Sequence, residues 1–373
     1  MSRPPEPADA TPGRTAVVER QTGPAAPPVL SVDGLRVVAG ADRAEAVRDV
    51  SFTLGRGEAV GLVGESGSGK SLTCRSVLGV LPAGCEIRSG SIVLDGDDPA
   101  RLTALTRKEW DGVRGRRLGA VFQDPASYLN PSMTVGRQLA EQLRVGRGLS
   151  RAAAREEVPG LLSAVGLHEP EEVRHQYPHE LSGGMLQRVL IADEATTALD
   201  VVVQAEILEL LQRLRSEQGL ALLLVTHDLA VVAETCDRVL VMYAGEIVED
   251  GPTEEVLAAP AHPYTEALLR VASSSEQGRA GLEVIPGRPL ETGAELPGCR
   301  FAERCSYAVA QCLTGAVAMH AAGTGRRARC LRPAGLIPGT PAAAPDRTGA
   351  DVRTGADTDA GAGPASAPEG GRA

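Results

Sequence analysis

The chain has 373 residues, 43% hydrophobic and 23% charged, the balance of a globular protein with room for about two or three domains. A net charge of −10 speaks against a surface built for nucleic acid, which needs clustered cations. No apolar run approaches about 18 residues and the N-terminus has no apolar secretory core, so neither a membrane-crossing helix nor a leader is expected.

Residues 1–28 are rich in Pro, Ala, Glu and Arg, and residues 336–373 in Ala, Gly, Pro, Asp and Thr; both read as disordered tails. Alternating, Val-rich segments at 29–38 and 46–54 read as strands. Residues 59–63 form a continuous apolar run before a Gly-rich turn, and 72–81 follow with helical spacing. Residues 91–94 and 118–122 read as further strands. Helical patterns fill 134–174. Then come a helix at 201–218, an apolar strand at 220–225, a helix at 229–235 and a hairpin at 239–243 and 246–249. Strands alternating with helices imply an α/β fold with a parallel sheet covered by helices. From 280 to 335 the pattern changes to Cys, Arg, Pro and Gly, read as a small appended unit.

Gly64, Glu65, Ser66, Gly67, Ser68, Gly69, Lys70 and Ser71 fit G-x-x-x-x-G-K-[ST] in full. The preceding strand and following helix are the context in which glycines turn successive backbone N–H groups toward phosphate oxygens at a helix N-terminus. Lys70 would reach the β- and γ-phosphates of a nucleotide such as ATP, and Ser71 would ligate Mg²⁺. Lysine is rare here, Lys70 and Lys108 being the two in the chain, so its position is informative. The bland reading, a chance Gly-rich turn, does not account for strand, loop and helix together.

Further motifs follow in order. They are Val121-Phe122-Gln123-Asp124, Leu181-Ser182-Gly183-Gly184-Met185-Leu186-Gln187, Asp193-Glu194, Ala198-Leu199-Asp200 and Thr226-His227-Asp228. With the phosphate loop they resemble the Q-loop, signature, Walker B end, D-loop and H-loop of ABC ATPases, over about 29–271. The resemblance implies a P-loop NTPase of the ABC ATPase type with a helical subdomain at about 125–185. It implies that Asp193 and Gln123 help hold Mg²⁺, that Glu194 polarises the attacking water, and that His227 contacts the γ-phosphate. It further implies that Ser182, Gly183, Gly184 and Asp200 serve a sandwich of two ATP-binding subunits, identical or different.

Gln123-Asp124-Pro125, Tyr177-Pro178-His179-Glu180, Thr196-Thr197-Ala198 and His262-Pro263-Tyr264-Thr265 resemble the dipeptide/oligopeptide importer branch. The implied partners are two transmembrane permease subunits and, indirectly, an extracytoplasmic solute-binding protein. The implied place is the cytoplasmic face of the membrane. Of seven cysteines, Cys74, Cys85 and Cys236 read as small buried residues. Cys299, Cys305, Cys312 and Cys330 lie in the 280–335 unit, which resembles the Cys-rich extension of peptide importers and its 4Fe–4S cluster. Zinc and unligated thiols stay open as alternatives.

Four places depart from the family pattern. Val38-Ala39 stands where an aromatic usually stacks on adenine, Leu186 where a polar residue is usual, and Ala195 where Pro is usual. The largest departure is that Ser182 and Asp193 are eleven positions apart, where the family places a helix, a turn and a buried strand. About a dozen missing helical residues amount to ~18 Å. Residues 189–193 are therefore expected to form the central strand, pulling the signature off its site; otherwise the signature helix persists and Asp193 and Glu194 leave the phosphate loop. Either way hydrolysis is expected to be impaired, and a non-catalytic ATP-binding subunit is the alternative reading.

Overall fold

The structure, a computed structural model, describes residues 27–96, 98–120, 129–193, 205–276 and 284–331. Except for residues 27 and 28, the tails expected at 1–28 and 336–373 lie outside these.

Val-rich alternation gives β1 (Pro28–Ala39) and β2 (Ala44–Gly55), which pair antiparallel. The apolar run β3 (Ala59–Val63) leads through the Gly-rich loop into α1 (Lys70–Leu78). β4 (Cys85–Leu94), β5 (Ala100–Arg101) and α2 (Arg107–Trp110) follow. A helical region holds α3 (Val135–Arg147), α4 (Arg151–Ala164), α5 (Pro170–Val173) and α6 (Gly183–Asp193). Then come α7 (Ala205–Gln218), β6 (Leu222–Val225), α8 (Leu229–Thr235), β7 (Arg238–Tyr243) and β8 (Glu246–Pro252). α9 (Thr253–Ala258), α10 (Pro263–Glu276) and the hairpin β9 (His320–Gly323) and β10 (Arg326–Ala328) complete the described chain.

Two sheets form, in the orders β2-β1-β4-β5 and β6-β3-β7-β8-β10-β9. β3 pairs parallel with β6 and with β7. The chain then reverses at Ala244 and Gly245, whose φ values are 46° and 91°, so β8 and the C-terminal hairpin extend the sheet antiparallel. The expected parallel sheet therefore holds for three strands.

The central strands are buried on both faces, which explains their continuous apolar sequence. With side chains alternating along a strand, Val60, Leu62, Leu223, Val225, Leu240 and Met242 face one core, with α1 and the antiparallel sheet. Ala59, Val63, Leu222, Leu224, Val239 and Val241 face the other, with the helical region, Tyr264 and Phe301. Each fully buried side chain of this kind contributes about 1.5–3 kcal/mol.

Several expectations are corrected. The helix expected at 72–81 begins at Lys70 and stops at Leu78, where Gly79 takes a left-handed φ of 65°. The strand expected at 118–122 is not formed over residues 118–120, where the sole pairing is a bridge from Arg114 to Leu118; residues 121 and 122 lie outside the described residues. Of the helix expected at 201–218, residues 205–218 are helical and 201–204 lie outside.

The most consequential correction is at residues 189–193, which are helix and not strand. The Ser182 hydroxyl accepts from the Met185 N–H at 3.3 Å and the Ser182 carbonyl from the Leu186 N–H at 2.9 Å, so a helix is started. Leu186 and Val189, three positions apart, both enter the core, and neither Gly nor Pro interrupts the helix after Gly184. Asp193 therefore stands at the end of a helix and not at the end of a strand beside β6. β6 pairs with β3 and has no other strand neighbour among the described residues.

Candidate nucleotide site

The loop from Gly64 to Ser71 joins β3 to α1, and its shape depends on glycine. Gly64 and Gly69 have φ values of 149° and 105°. A Cβ at Gly64 would stand 2.1 Å from the Met242 carbonyl oxygen. One at Gly69 would stand 2.9 Å from the Ala46 carbonyl oxygen. The loop therefore lies flush on β2 and β7. Ser68 is buried, and its carbonyl accepts from the Gly245 N–H at 2.9 Å.

Lys70 turns back over the loop. Its Nζ donates to the Gly64 and Glu65 carbonyls at 2.7 and 2.9 Å and to Ser68 Oγ at 3.3 Å. The first turn of α1 carries no acidic residue, so the positive end of the helix is not neutralised from its own sequence.

The loop floors a pocket of about 670 Å³. Lys70, Ser71, Thr226, His227 and Ala39 line it, and Leu268 and Thr292 close it from the C-terminal side. The Asp228 carboxylate caps α8 by accepting from the Ala230 and Val231 N–H groups at 2.9 and 3.4 Å. His227, just before that cap, is exposed at the end of β6 and faces the pocket. Sequence reasoning placed Gly64–Ser71 and His227 at one site, and the structure brings them to one pocket. That reasoning missed Leu268 and Thr292, whose residue types carry no motif signal.

Ser182 and Gly183 are exposed at the start of α6, and a Cβ on Gly183 would meet nothing within 4 Å. They are not among the residues lining the pocket. Asp193 ends α6; Gln123, Glu194 and Asp200 lie outside the described residues.

The segment after α10 packs back on this region. Glu249, fully buried on β8, accepts from the Ala261 and His262 N–H groups at 2.7 and 3.0 Å and from Arg326 at 3.1 Å. Asp250 beside it binds Arg238 and Arg327. These buried acids fix β10 to the core sheet. Burial raises the Glu249 pKa above the ordinary carboxylate value, partly offset by these hydrogen bonds.

Cys299, Cys305, Cys312 and Cys330 do converge, lining one small pocket with His262, Phe301 and Tyr307. None of the seven cysteines is in a disulfide, and Cys85 is half-buried where burial was expected. Burial first, and neighbouring thiols second, push Cys299 up to about 11 and Cys305 up to about 12, so both are protonated at neutral pH. The pocket they line holds about 20 Å³, room for about one water. No group of three or more His, Cys, Asp or Glu among the described residues is arranged to hold a metal ion. The donor set suits iron–sulfur chemistry, but this arrangement does not fit a cluster, and that expectation is not supported.

The phosphate loop between β3 and α1, with His227 lining the same pocket, defines a P-loop nucleotide-binding cassette. A family model for ABC transporters matches residues 47–206, and one for the oligopeptide/dipeptide transporter C-terminal region matches residues 248–312. A putative peptide import ATP-binding protein of Brucella ovis is 46% identical over 329 residues, covering 82% of this chain and 97% of the relative. A dipeptide transport ATP-binding protein of Bacillus subtilis is 43% identical over 299 residues, covering 76% and 88%. Among solved structures, cbiO1 of Clostridium perfringens, part of an ABC transporter complex, aligns with a TM-score of 0.52 at 26% identity, covering 67% of this chain and 99% of that one. The chain belongs to the ATP-binding proteins of ABC transporters, in the dipeptide/oligopeptide importer family. No helix among the described residues is long and apolar enough to cross a membrane.

Proposed function

We propose that this chain is the ATP-binding and ATP-hydrolysing subunit that energises an importer of dipeptides or oligopeptides, with hydrolysis impaired by the short passage from signature to Walker B. The observation that carries the reading is the loop itself: a glycine-shaped cradle, with Lys70 and the α1 N-terminus, opening into a pocket that His227 also lines. The cradle is the kind that takes a nucleotide phosphate tail. Gly64–Ser71 would hold the phosphates and Ser71 the Mg²⁺, which neutralises charge on the transferring phosphate. Asp193 and Gln123 are proposed as further Mg²⁺ ligands, Glu194 as the residue that orients water and His227 as a γ-phosphate contact.

Exposed Ser182 and Gly183 at the α6 N-terminus fit a role toward a second ATP-binding subunit, and Asp200 is proposed to serve the same junction. Two permease subunits at the cytoplasmic face of the membrane, and beyond them a solute-binding protein, complete the proposed complex. Domain limits of 29–271 for the ATP-binding domain and 280–335 for the C-terminal unit are proposed with it. An iron–sulfur group on the four cysteines would require that pocket to widen; iron and sulfide reconstitution, followed by visible absorption, tests it.

The continuous helix α6, and the outer edge of β6 with no strand beside it among the described residues, favour a second reading, an ATP-binding subunit that does not turn over. Mg²⁺-ATP titration separates nucleotide binding from turnover. The chain is expected to bind and Lys70→Ala to lose binding. Equal binding by both would reject the nucleotide reading.

A further inference from the structure

Glu65 occupies a position the loop motif leaves free, yet it is held from 239 residues away. Arg304 donates Nη1 to Glu65 Oε2 at 2.7 Å and Nη2 to Glu65 Oε1 at 3.0 Å, a two-pronged ion pair. The remaining donors of Arg304 go to the Pro286 carbonyl at 2.9 Å, the Ile285 carbonyl at 3.3 Å and the Tyr243 hydroxyl at 3.3 Å. All five guanidinium N–H groups are thus engaged. The Arg304 side chain is 4% exposed, against 24% for Glu65. The Glu65 N–H donates to the hydroxyl of fully buried Tyr264 at 2.7 Å.

A second brace acts one turn away. Arg300 Nε donates to the Ala244 carbonyl at 2.8 Å, and the neighbouring Gly245 N–H holds the Ser68 carbonyl at 2.9 Å. Thr292, from the same C-terminal segment, lines the nucleotide pocket. Both ends of the loop are therefore fixed by residues outside the motif.

We infer that Arg304 is a positioning residue of the nucleotide site: it fixes the phosphate loop through Glu65 and neutralises a carboxylate that would otherwise repel the incoming phosphates. The C-terminal segment is then a working part of that site. This rests on the reading of Gly64–Ser71 as an ATP site. A planar guanidinium suits the task, because it matches a carboxylate fork where a lysine offers a point charge.

The test is Mg²⁺-ATP affinity by calorimetric titration of the full chain, with folding followed by circular dichroism. Arg304→Ala is expected to bind about tenfold more weakly or worse, as for removal of one partner from a buried charge pair. Arg304→Lys should fall between, keeping the charge and losing the fork. Adding Glu65→Gln to Arg304→Ala should restore much of the loss, which a merely structural role would not. Affinity within twofold of the parent in Arg304→Ala, while Lys70→Ala has lost binding, overturns the clamp alone. If Arg304→Ala does not fold, parental affinity in Arg304→Lys overturns it. Full binding by Lys70→Ala overturns the nucleotide reading and the clamp with it.

Discussion

Gly64 and Gly67 provide a paired experiment within one loop. Both have positive φ, 149° and 79°, but their surroundings differ. A Cβ at Gly67 meets nothing within 4 Å. Gly67→Ala then costs the left-handed backbone alone, about 1–2 kcal/mol. A Cβ at Gly64 would stand 2.1 Å from the Met242 carbonyl oxygen, 3.1 Å from its carbon and 3.0 Å from Ser68 Oγ. Carbon and oxygen rest at about 3.3 Å or more, so one of them must move by over ~1 Å. Met242 is fully buried on β7, which is paired on both sides, so it cannot yield cheaply. Strain of that kind adds at least about 1–3 kcal/mol to the backbone cost. Gly64→Ala should therefore be about 2 kcal/mol or more less stable than Gly67→Ala. Urea unfolding followed by circular dichroism measures the difference, and Mg²⁺-ATP titration should show binding lost in Gly64→Ala. Equal stability of the two variants would refute the close seating of the loop on β7.

Two further outcomes follow from buried charge. Arg326→Met leaves fully buried Glu249 without its cation and should destabilise by about 3–5 kcal/mol, read by the same unfolding experiment. His262 is buried, and burial lowers its pKa to about 3 from an ordinary 6.5. The folded form then binds fewer protons than the unfolded one, so stability is lost as pH falls from 6.5 toward 3. Between pH 6.5 and 5 the loss is about 2 kcal/mol, and His262→Phe should flatten the pH profile in that range.

The local motifs were legible because each is written in adjacent residues. The phosphate loop needs glycines at fixed spacing, and its strand and helix flank it directly. His227 was legible for a similar reason, since a strand end and an Asp228 cap fix it. Residues 189–193 were misread because an apolar run of that length suits a strand or a helix equally. What decides it is the Ser182 cap, a local signal, against a sheet position that lies far away in sequence. Arg304, Arg326 and Thr292 were invisible because their partners, Glu65, Glu249 and the pocket, are brought near by tertiary packing alone. The cysteines were legible as a group, whereas the tightness of their pocket was not.

The central claim is that this is an importer ATPase whose turnover is limited by the eleven positions between Ser182 and Asp193. Mg²⁺-ATP turnover by the chain, beside a version carrying an inserted helix–turn–strand segment after Leu190, tests it most directly, with Glu194→Gln in each as control. The account predicts binding by both, and turnover, abolished by Glu194→Gln in each, that is slower in the chain than in the lengthened version; no turnover by the chain at all would favour the non-catalytic reading. Equal turnover by the chain as it stands, also abolished by Glu194→Gln, would contradict it.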